Sequence, residues 1–132
     1  MPISNKTAST ALSTEQGQAT RLGQSLAPRV GAHPGKSGIH ALADPHDAFA
    51  ARVLLARTAE RTLDVQYYIW HGDITGTLLL EELHEAADRG VRVRLLLDDN
   101  GTAGLDTELA ALALHPQIEV RLFNPFKVRN PK

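Results

Sequence analysis

The sequence predicts an α/β fold in which helices and strands alternate, so that the strands form one parallel sheet. After residue 44, three segments with helical periodicity each precede a short segment rich in β-branched and aliphatic residues. Single helices between successive strands imply right-handed crossovers and parallel pairing. The length of 132 residues, 42% of them hydrophobic, suits one domain. The predicted order is a helix followed by β-α-β-α-β.

Composition excludes several classes of function. The chain has no cysteine, which excludes disulfides, thiol nucleophiles and cysteine-ligated metals. Its 14 basic residues face 15 acidic ones, so the charge predicts no nucleic-acid partner. No apolar run approaches the roughly 20 residues of a membrane span, and no signal-peptide pattern opens the chain.

Residues 1–40 differ from the rest of the chain. All six aromatic residues lie at or after Phe49, while the first 40 residues are rich in Ser, Thr, Gln, Ala, Gly and Pro. Such a stretch buries too little apolar surface to offset its ordering entropy. We predict a flexible polar arm here, with a transit-type targeting segment as the alternative.

The first predicted helix and strand follow the arm. Asp44 and Pro45 are typical of a helix start, and the apolar spacing carries the helix to about Glu60. A strand is predicted over residues 63–70. Its alternation places Leu63, Val65, Tyr67 and Ile69 on one face and Asp64, Gln66, Tyr68 and Trp70 on the other.

Two further helix–strand pairs complete the pattern. The second helix opens at Asp73 and closes at Gly90, with its buried face predicted at Leu79, Leu80, Leu83, Ala86 and Ala87. A strand follows over residues 91–98. The third helix carries Leu105, Leu109 and Leu112 on one side, and the last strand spans residues 118–123.

Candidate site residues lie where the predicted strands end, because ligands gather at the carboxyl ends of parallel strands. Asp98 and Asp99 follow the second strand, and Tyr68 and Trp70 share a face with Gln66 on the first. The run from Asp98 to Thr102 resembles the nucleophile loop of haloacid-dehalogenase-type phosphatases, with Asn100 in place of their second Asp. That resemblance implies a magnesium-dependent phosphatase using Asp98. The alternative is a polar turn that caps backbone N–H groups.

A longer resemblance involves most of the chain after residue 37. The approach carries part of it, with Ser37 to Ile39 leading to Asp47 to Phe49 and Arg52. Four further stretches carry the rest: Leu63 to Trp70, Asp73 to Gly76, Ala86 to Asp99 and Ile118 to Phe126. Together they resemble the amino-terminal half of a phospholipase D-type domain, nearest to bacterial cardiolipin synthases. The resemblance implies a partial α/β domain over residues 41–126, followed by a truncated tail at 127–132. It also implies phosphodiester hydrolysis or phosphatidyl transfer on phospholipids by the parent protein, through a phosphohistidine intermediate.

The catalytic signature of that family is absent from this sequence. Members carry His-x-Lys-x4-Asp, but no histidine here has a lysine two positions later. The resemblance places the signature beyond Lys132, so we expect no catalytic residue and no activity in this chain. Possible pocket-lining residues are Gln66, Tyr68, Asp98 and Asp99. The resemblance implies no metal and no cofactor.

The expected partners follow from the same resemblance. They are a phospholipid substrate for the parent protein and a peripheral contact with a membrane, with the protein in the cytoplasm or at the inner membrane. Exposed sheet edges predict self-association of this chain. A non-enzymatic interaction module built on those edges is the remaining alternative.

Overall fold

The computed structural model describes residues 9–126 and confirms the predicted α/β class. Predicted features at residues 1–8 and 127–132 lie outside the described residues. The elements in chain order are α1 (Thr14–Gln18), α2 (Arg21–Gly31), α3 (Pro45–Thr58), β1 (Thr62–Tyr67), α4 (Ile74–Asp88), β2 (Arg92–Asp98), a 3-10 turn (Asp99–Gly101), α5 (Asp106–Leu112) and β3 (Ile118–Phe123).

The three strands form one parallel sheet in the order β1-β2-β3. In the register, Val65 pairs with Leu95 and Leu95 with Val120. Because side chains alternate along a strand, these aliphatic residues share one face of the sheet. The opposite face carries the row Asp64, Arg94 and Glu119. The sheet therefore has one apolar and one charged face.

The hydrophobic core lies between the apolar sheet face and the helices α4 and α5. The predicted buried face of α4 is confirmed, and Leu83 is 1% exposed. The predicted side of α5 is also buried, with Leu109 at 1%. Deleting either side chain would leave a cavity, since both are packed on all sides.

Helix termini match their sequence signals. Asp44 caps α3 by accepting hydrogen bonds from the N–H groups of His46 and Asp47. Asp73 caps α4 by accepting from the N–H of Gly76. Gly90, just past the end of α4, has φ +88°, the left-handed conformation that glycine adopts without a Cβ penalty.

An ion pair ties α3 to α4. Nε of Arg57 donates to both carboxylate oxygens of Glu82 at 2.9 and 2.8 Å. Hydrogen bonding from Arg57 lowers the pKa of Glu82 below its ordinary value. Arg89 donates to the carbonyl of Ala56 at 2.8 Å. These contacts hold the end of α3 against the core helix.

The predicted end of the first strand is wrong by three residues. The strand ends at Tyr67, and the chain turns before Trp70, whose N–H donates to the carbonyl of Gly101 at 2.9 Å. This turn moves Trp70 off the polar face into the core, where it is 4% exposed, and leaves Ile69 half exposed. The indole packs edge-on against Tyr67 at 4.8 Å.

Residues 9–40 contain regular structure that the sequence analysis did not predict. Helix α1 begins with a capping box between Ser13 and Gln16, and Thr20 caps α2. Neither helix has a buried residue. Local capping hydrogen bonds, and not the burial of apolar side chains, therefore mark these two helices. The division into an arm at 1–40 and a domain at 41–126 stays a prediction. Within residues 9–126, no helix has the length and apolar character needed to cross a membrane.

Candidate functional site

The carboxyl ends of β2 and β3 meet in a buried polar cluster around Asp98. This residue is 8% exposed, and its Oδ1 accepts from the backbone N–H of Asn100 at 2.9 Å. Its Oδ2 accepts from Nδ2 of Asn124 at 3.3 Å. Asn124 has φ +50°, a left-handed conformation that asparagine tolerates better than most residues. Both carboxylate oxygens of Asp98 thus have partners from the protein itself.

Asp99 is buried beside it and fixes the chain that follows β3. Asp99 is only 6% exposed, and its Oδ2 accepts a hydrogen bond from the backbone N–H of Phe126 at 2.7 Å. The hydroxyl of Thr102 donates to the Asp99 carbonyl at 3.2 Å. Strand position predicts Asp99 at this end of the sheet but not its contact with Phe126, because a hydrogen bond from a backbone N–H does not depend on residue type.

The turn after β2 packs directly on the turn after β1. A Cβ at Gly101 would lie 2.1 Å from the carbonyl oxygen of Tyr68, so only glycine fits. The bond from Trp70 N–H to the Gly101 carbonyl closes the same contact. The two loops at this end of the sheet are therefore one packed unit.

The four predicted pocket residues do not share one environment. Asp98 and Asp99 are buried in the turn, whereas Tyr68 is 68% exposed. Gln66 lies on the charged sheet face and lines an open groove of about 450 Å³ there, together with Asp64 and Arg94. The lining role of these four residues stays a prediction.

The charged sheet face is organised by paired side chains. Arg94 binds Asp64 with two hydrogen bonds of 2.5 and 2.6 Å, and this contact holds the pKa of Asp64 below its ordinary range. Arg121 pairs with Glu119 on β3. Arg94 also donates to the hydroxyl of Ser9 at 2.8 Å, so the chain before α1 lies over this face.

A second, smaller groove of about 170 Å³ lies at the carboxyl end of β1. Its lining includes Phe49, Arg52 and Tyr67, with the Arg52 guanidinium 6.0 Å from the Tyr67 ring centre. The N-cap Asp73 lies at the same groove, and its bonds from Gly76 and Thr75 lower its pKa. Both grooves are open at the surface. The larger is lined by two carboxylates and two arginines, and the smaller by one of each.

Two histidines meet one carboxylate, Asp88, on the surface of α4. Nδ1 of His84 lies 3.4 Å from Asp88, and Nε2 of His115 lies 3.2 Å from the same carboxylate. Nδ1 of His115 accepts from the N–H of Gln117, so Nε2 is the ring nitrogen that donates to Asp88. No group of three or more His, Asp or Glu side chains in the described part of the chain is arranged to hold a metal ion.

The strand ends carry acceptors already occupied by backbone and amide donors. Lys36 is the single lysine within residues 9–126, and it lies exposed in the segment between α2 and α3. Neither groove contains the histidine–lysine pair that phosphodiester transfer by the resembled family requires.

Comparison with known sequences identifies close relatives. The chain is 59% identical over 109 residues to cardiolipin synthase C of Escherichia coli, covering 83% of this chain and 23% of the relative. It is 39% identical over 62 residues to cardiolipin synthase 2 of Staphylococcus epidermidis, covering 47% of this chain and 13% of the relative. The chain thus spans less than a quarter of the length of these relatives. No protein-family model matches the chain.

Comparison with solved structures supports the fold alone. TrmBL2, an archaeal chromatin protein with a described mode of DNA binding, superimposes with a TM-score of 0.52 at 18% identity. The match covers 80% of this chain and 42% of that protein. At this identity a shared α/β scaffold carries no functional information. The sequence similarity, by contrast, is specific: the chain is similar to one stretch of the cardiolipin synthases, and this supports a phospholipase D-like fragment.

Proposed function

We propose that this chain is the scaffold segment of a phospholipase D-type cardiolipin synthase-like protein. The identity of 59% over 83% of the chain to an E. coli cardiolipin synthase carries the proposal. The parent protein would transfer or hydrolyse phosphodiesters of phospholipids through a phosphohistidine intermediate. A nucleophile and an acid divide such a displacement into two steps, while cations stabilise the charged transition state.

In this proposal the chain positions loops and carries no catalytic group. The absence of His-x-Lys-x4-Asp from all 132 residues supports that division. Two features would fix the carboxyl end of the sheet, against which the catalytic loops of the parent lie. They are the packed turns at Gly101 and Tyr68 and the cluster around Asp98. Asp98, Asp99, Gln66 and Tyr68 would then act as supporting or lining residues.

Assays of the isolated chain test this proposal. Cardiolipin formation and phosphodiester hydrolysis are measured on phospholipid vesicles, with E. coli cardiolipin synthase C as the positive control. We expect the E. coli protein to be active and the 132-residue chain to show background turnover only. Phosphodiester turnover by the purified 132-residue chain above the background rate would refute the scaffold role.

The structure gives no support to a phosphatase centred on Asp98. A nucleophilic carboxylate needs an oxygen that faces substrate and a nearby cation. Here Oδ1 accepts from the N–H of Asn100 in the same turn, Oδ2 accepts from the amide of Asn124 in the loop after β3, and the residue is 8% exposed. The Asp98 to Thr102 run forms a polar turn, which was the alternative raised by the sequence.

We also propose self-association through the sheet edges. The outer edges of β1 and β3 have no strand beside them among residues 9–126. Unpaired N–H and C=O groups on such edges can pair with another chain. Light scattering across a concentration series tests this directly: growth of a dimer or larger species is expected, and a monomer throughout the series would contradict it.

A further inference from the structure

Helix α2 (Arg21–Gly31) presents an apolar edge that nothing in the described structure covers. Leu22, Leu26 and Val30 are 48%, 43% and 63% exposed. Their spacing of four residues places them within about 80° of arc on one side of the helix. Not one residue of α2 is buried. We call this row of three side chains the α2 edge.

The sequence segment that contains the α2 edge is basic. Residues 16–43 contain Arg21, Arg29 and Lys36 but no Asp or Glu, whereas residues 44–132 contain ten basic and fourteen acidic residues. Arg29 follows Leu22 by seven positions, so it lies beside the apolar row on the helix surface. An apolar row bordered by arginine is the pattern of a helix that lies in a membrane interface.

The attachment of α2 leaves its apolar edge available. Arg21 at the start of the helix binds Glu60, with its backbone N–H 2.6 Å and its Nε 3.0 Å from the carboxylate oxygens. Helix α2 packs on α1, and residues 36–43 beyond it form neither helix nor strand. The helix is therefore held at its first residue while Leu26 and Val30 stay uncovered.

We propose that the α2 edge binds the surface of an anionic phospholipid membrane. Leu22, Leu26 and Val30 would enter the boundary between headgroups and acyl chains, with Arg29 extending to the phosphates. The charge favours this occupant over an ordinary protein surface, because Arg29 and Lys36 lie in a stretch without acidic residues, whereas Arg21 is paired with Glu60. The lipid class is taken from the proposed function, but the binding surface rests on α2 alone.

Vesicle binding by the full 132-residue chain tests the proposal. Co-sedimentation is measured with phosphatidylcholine vesicles and with equal parts phosphatidylcholine and phosphatidylglycerol. We expect binding to the anionic vesicles and its loss at high salt, since screening weakens the attraction. Leu26→Asp should reduce the partition coefficient at least about tenfold, and Arg29→Gln about fivefold.

Matched variants separate the α2 edge from general effects. Leu114, 86% exposed after α5, gives the control Leu114→Asp, and exposed Arg61 gives Arg61→Gln; both should bind vesicles like the unaltered chain. Equal losses for Leu26→Asp and Leu114→Asp would overturn the proposal. A second result would also overturn it: the chain forms dimers in light scattering, Leu26→Asp dissociates them, and the chain does not bind vesicles. The α2 edge would then be a contact between protein chains. No step uses catalysis, so an inactive parent enzyme would leave this result standing.

Discussion

Asn124 at the end of β3 donates its side-chain amide to the carboxylate of Asp98 at the end of β2, across 3.3 Å. The backbone of Asn124 is in the left-handed conformation, at φ +50°. Through the hydrogen bond, the loops after two neighbouring strands share one buried carboxylate. This relationship makes Asp98 part of the fold at the carboxyl end of the sheet rather than a free reactive group.

Asn124→Asp tests the bond with little change in side-chain size. Aspartate also tolerates the left-handed conformation, but it places a second carboxylate against Asp98 at neutral pH. We expect Asn124→Asp to be less stable than Asn124→Gly, which only removes the donor at about 1 kcal/mol. Urea unfolding at pH 7 and at pH 3 measures this. If Asn124→Asp were as stable as the unaltered chain at pH 7, the hydrogen bond from the Asn124 amide to Asp98 would not be formed.

Gly101→Ala should separate the two packed turns. The added Cβ would lie 2.1 Å from the Tyr68 carbonyl oxygen, and backbone cannot move aside as a flexible side chain can. We expect a loss of about 2 kcal/mol or more. Trp70 is the single tryptophan, and its backbone N–H donates to the Gly101 carbonyl, so the fluorescence of its indole reports on this contact.

Emission from Trp70 should shift to longer wavelength in Gly101→Ala as the indole gains water. Gly38→Ala is the matched control, because nothing lies within 4 Å of a Cβ there. Identical emission and stability in the two variants would contradict the packed-turn description.

Asp64→Asn should reduce the acid sensitivity of the chain. Hydrogen bonding from Arg94 lowers the pKa of Asp64 below its ordinary value of 3.8. The folded chain therefore binds this proton less readily than the unfolded chain, so the stabilisation is complete above about pH 4. It is lost as pH falls through the lowered pKa. Unfolding midpoints from pH 7 to pH 2.5 should fall less steeply for Asp64→Asn.

The exposed residue Glu81 on α4 supplies the control for that series. Glu81→Gln should retain the wild-type slope in the acid range. Parallel curves for Asp64→Asn and the unaltered chain would show that the pair with Arg94 does not contribute to acid unfolding.

Asp98→Asn distinguishes the structural role of this carboxylate from phosphatase chemistry. An amide oxygen can replace one acceptor but cannot serve both neighbouring donors as a charged group does. We expect a loss of about 1–2 kcal/mol and no magnesium-dependent hydrolysis of p-nitrophenyl phosphate by either protein. Magnesium-dependent turnover that disappears in Asp98→Asn would restore the nucleophile hypothesis.

The sequence predicted the helices and strands after residue 44 because burial enforces their periodicity. The core face of α4 is an example, since Leu79, Leu83 and Ala86 recur at helical spacing and all lie inside. Trp70 shows where that logic fails. Its side was assigned from strand alternation, but a bond to Gly101, 31 residues away in the chain, ends the strand first.

The candidate site shows the same limit. Residue type and strand position predicted Asp98 and Asp99 at the carboxyl end of the second strand, where they lie in the structure. Their partners, the amide of Asn124 and the N–H of Phe126, depend on how a loop after β3 folds back. Helix α1 was missed because capping bonds, and not apolar periodicity, define it, and α2 was missed because its apolar row lies in a polar segment and is not buried.

The scaffold role is tested most directly by exchanging segments. This chain replaces the matching stretch of E. coli cardiolipin synthase C, to which it is 59% identical, and cardiolipin formation is measured in a strain without cardiolipin synthases. The account predicts that the exchanged protein makes cardiolipin and that Gly101→Ala within it abolishes this activity. A folded but inactive exchange protein would contradict the account.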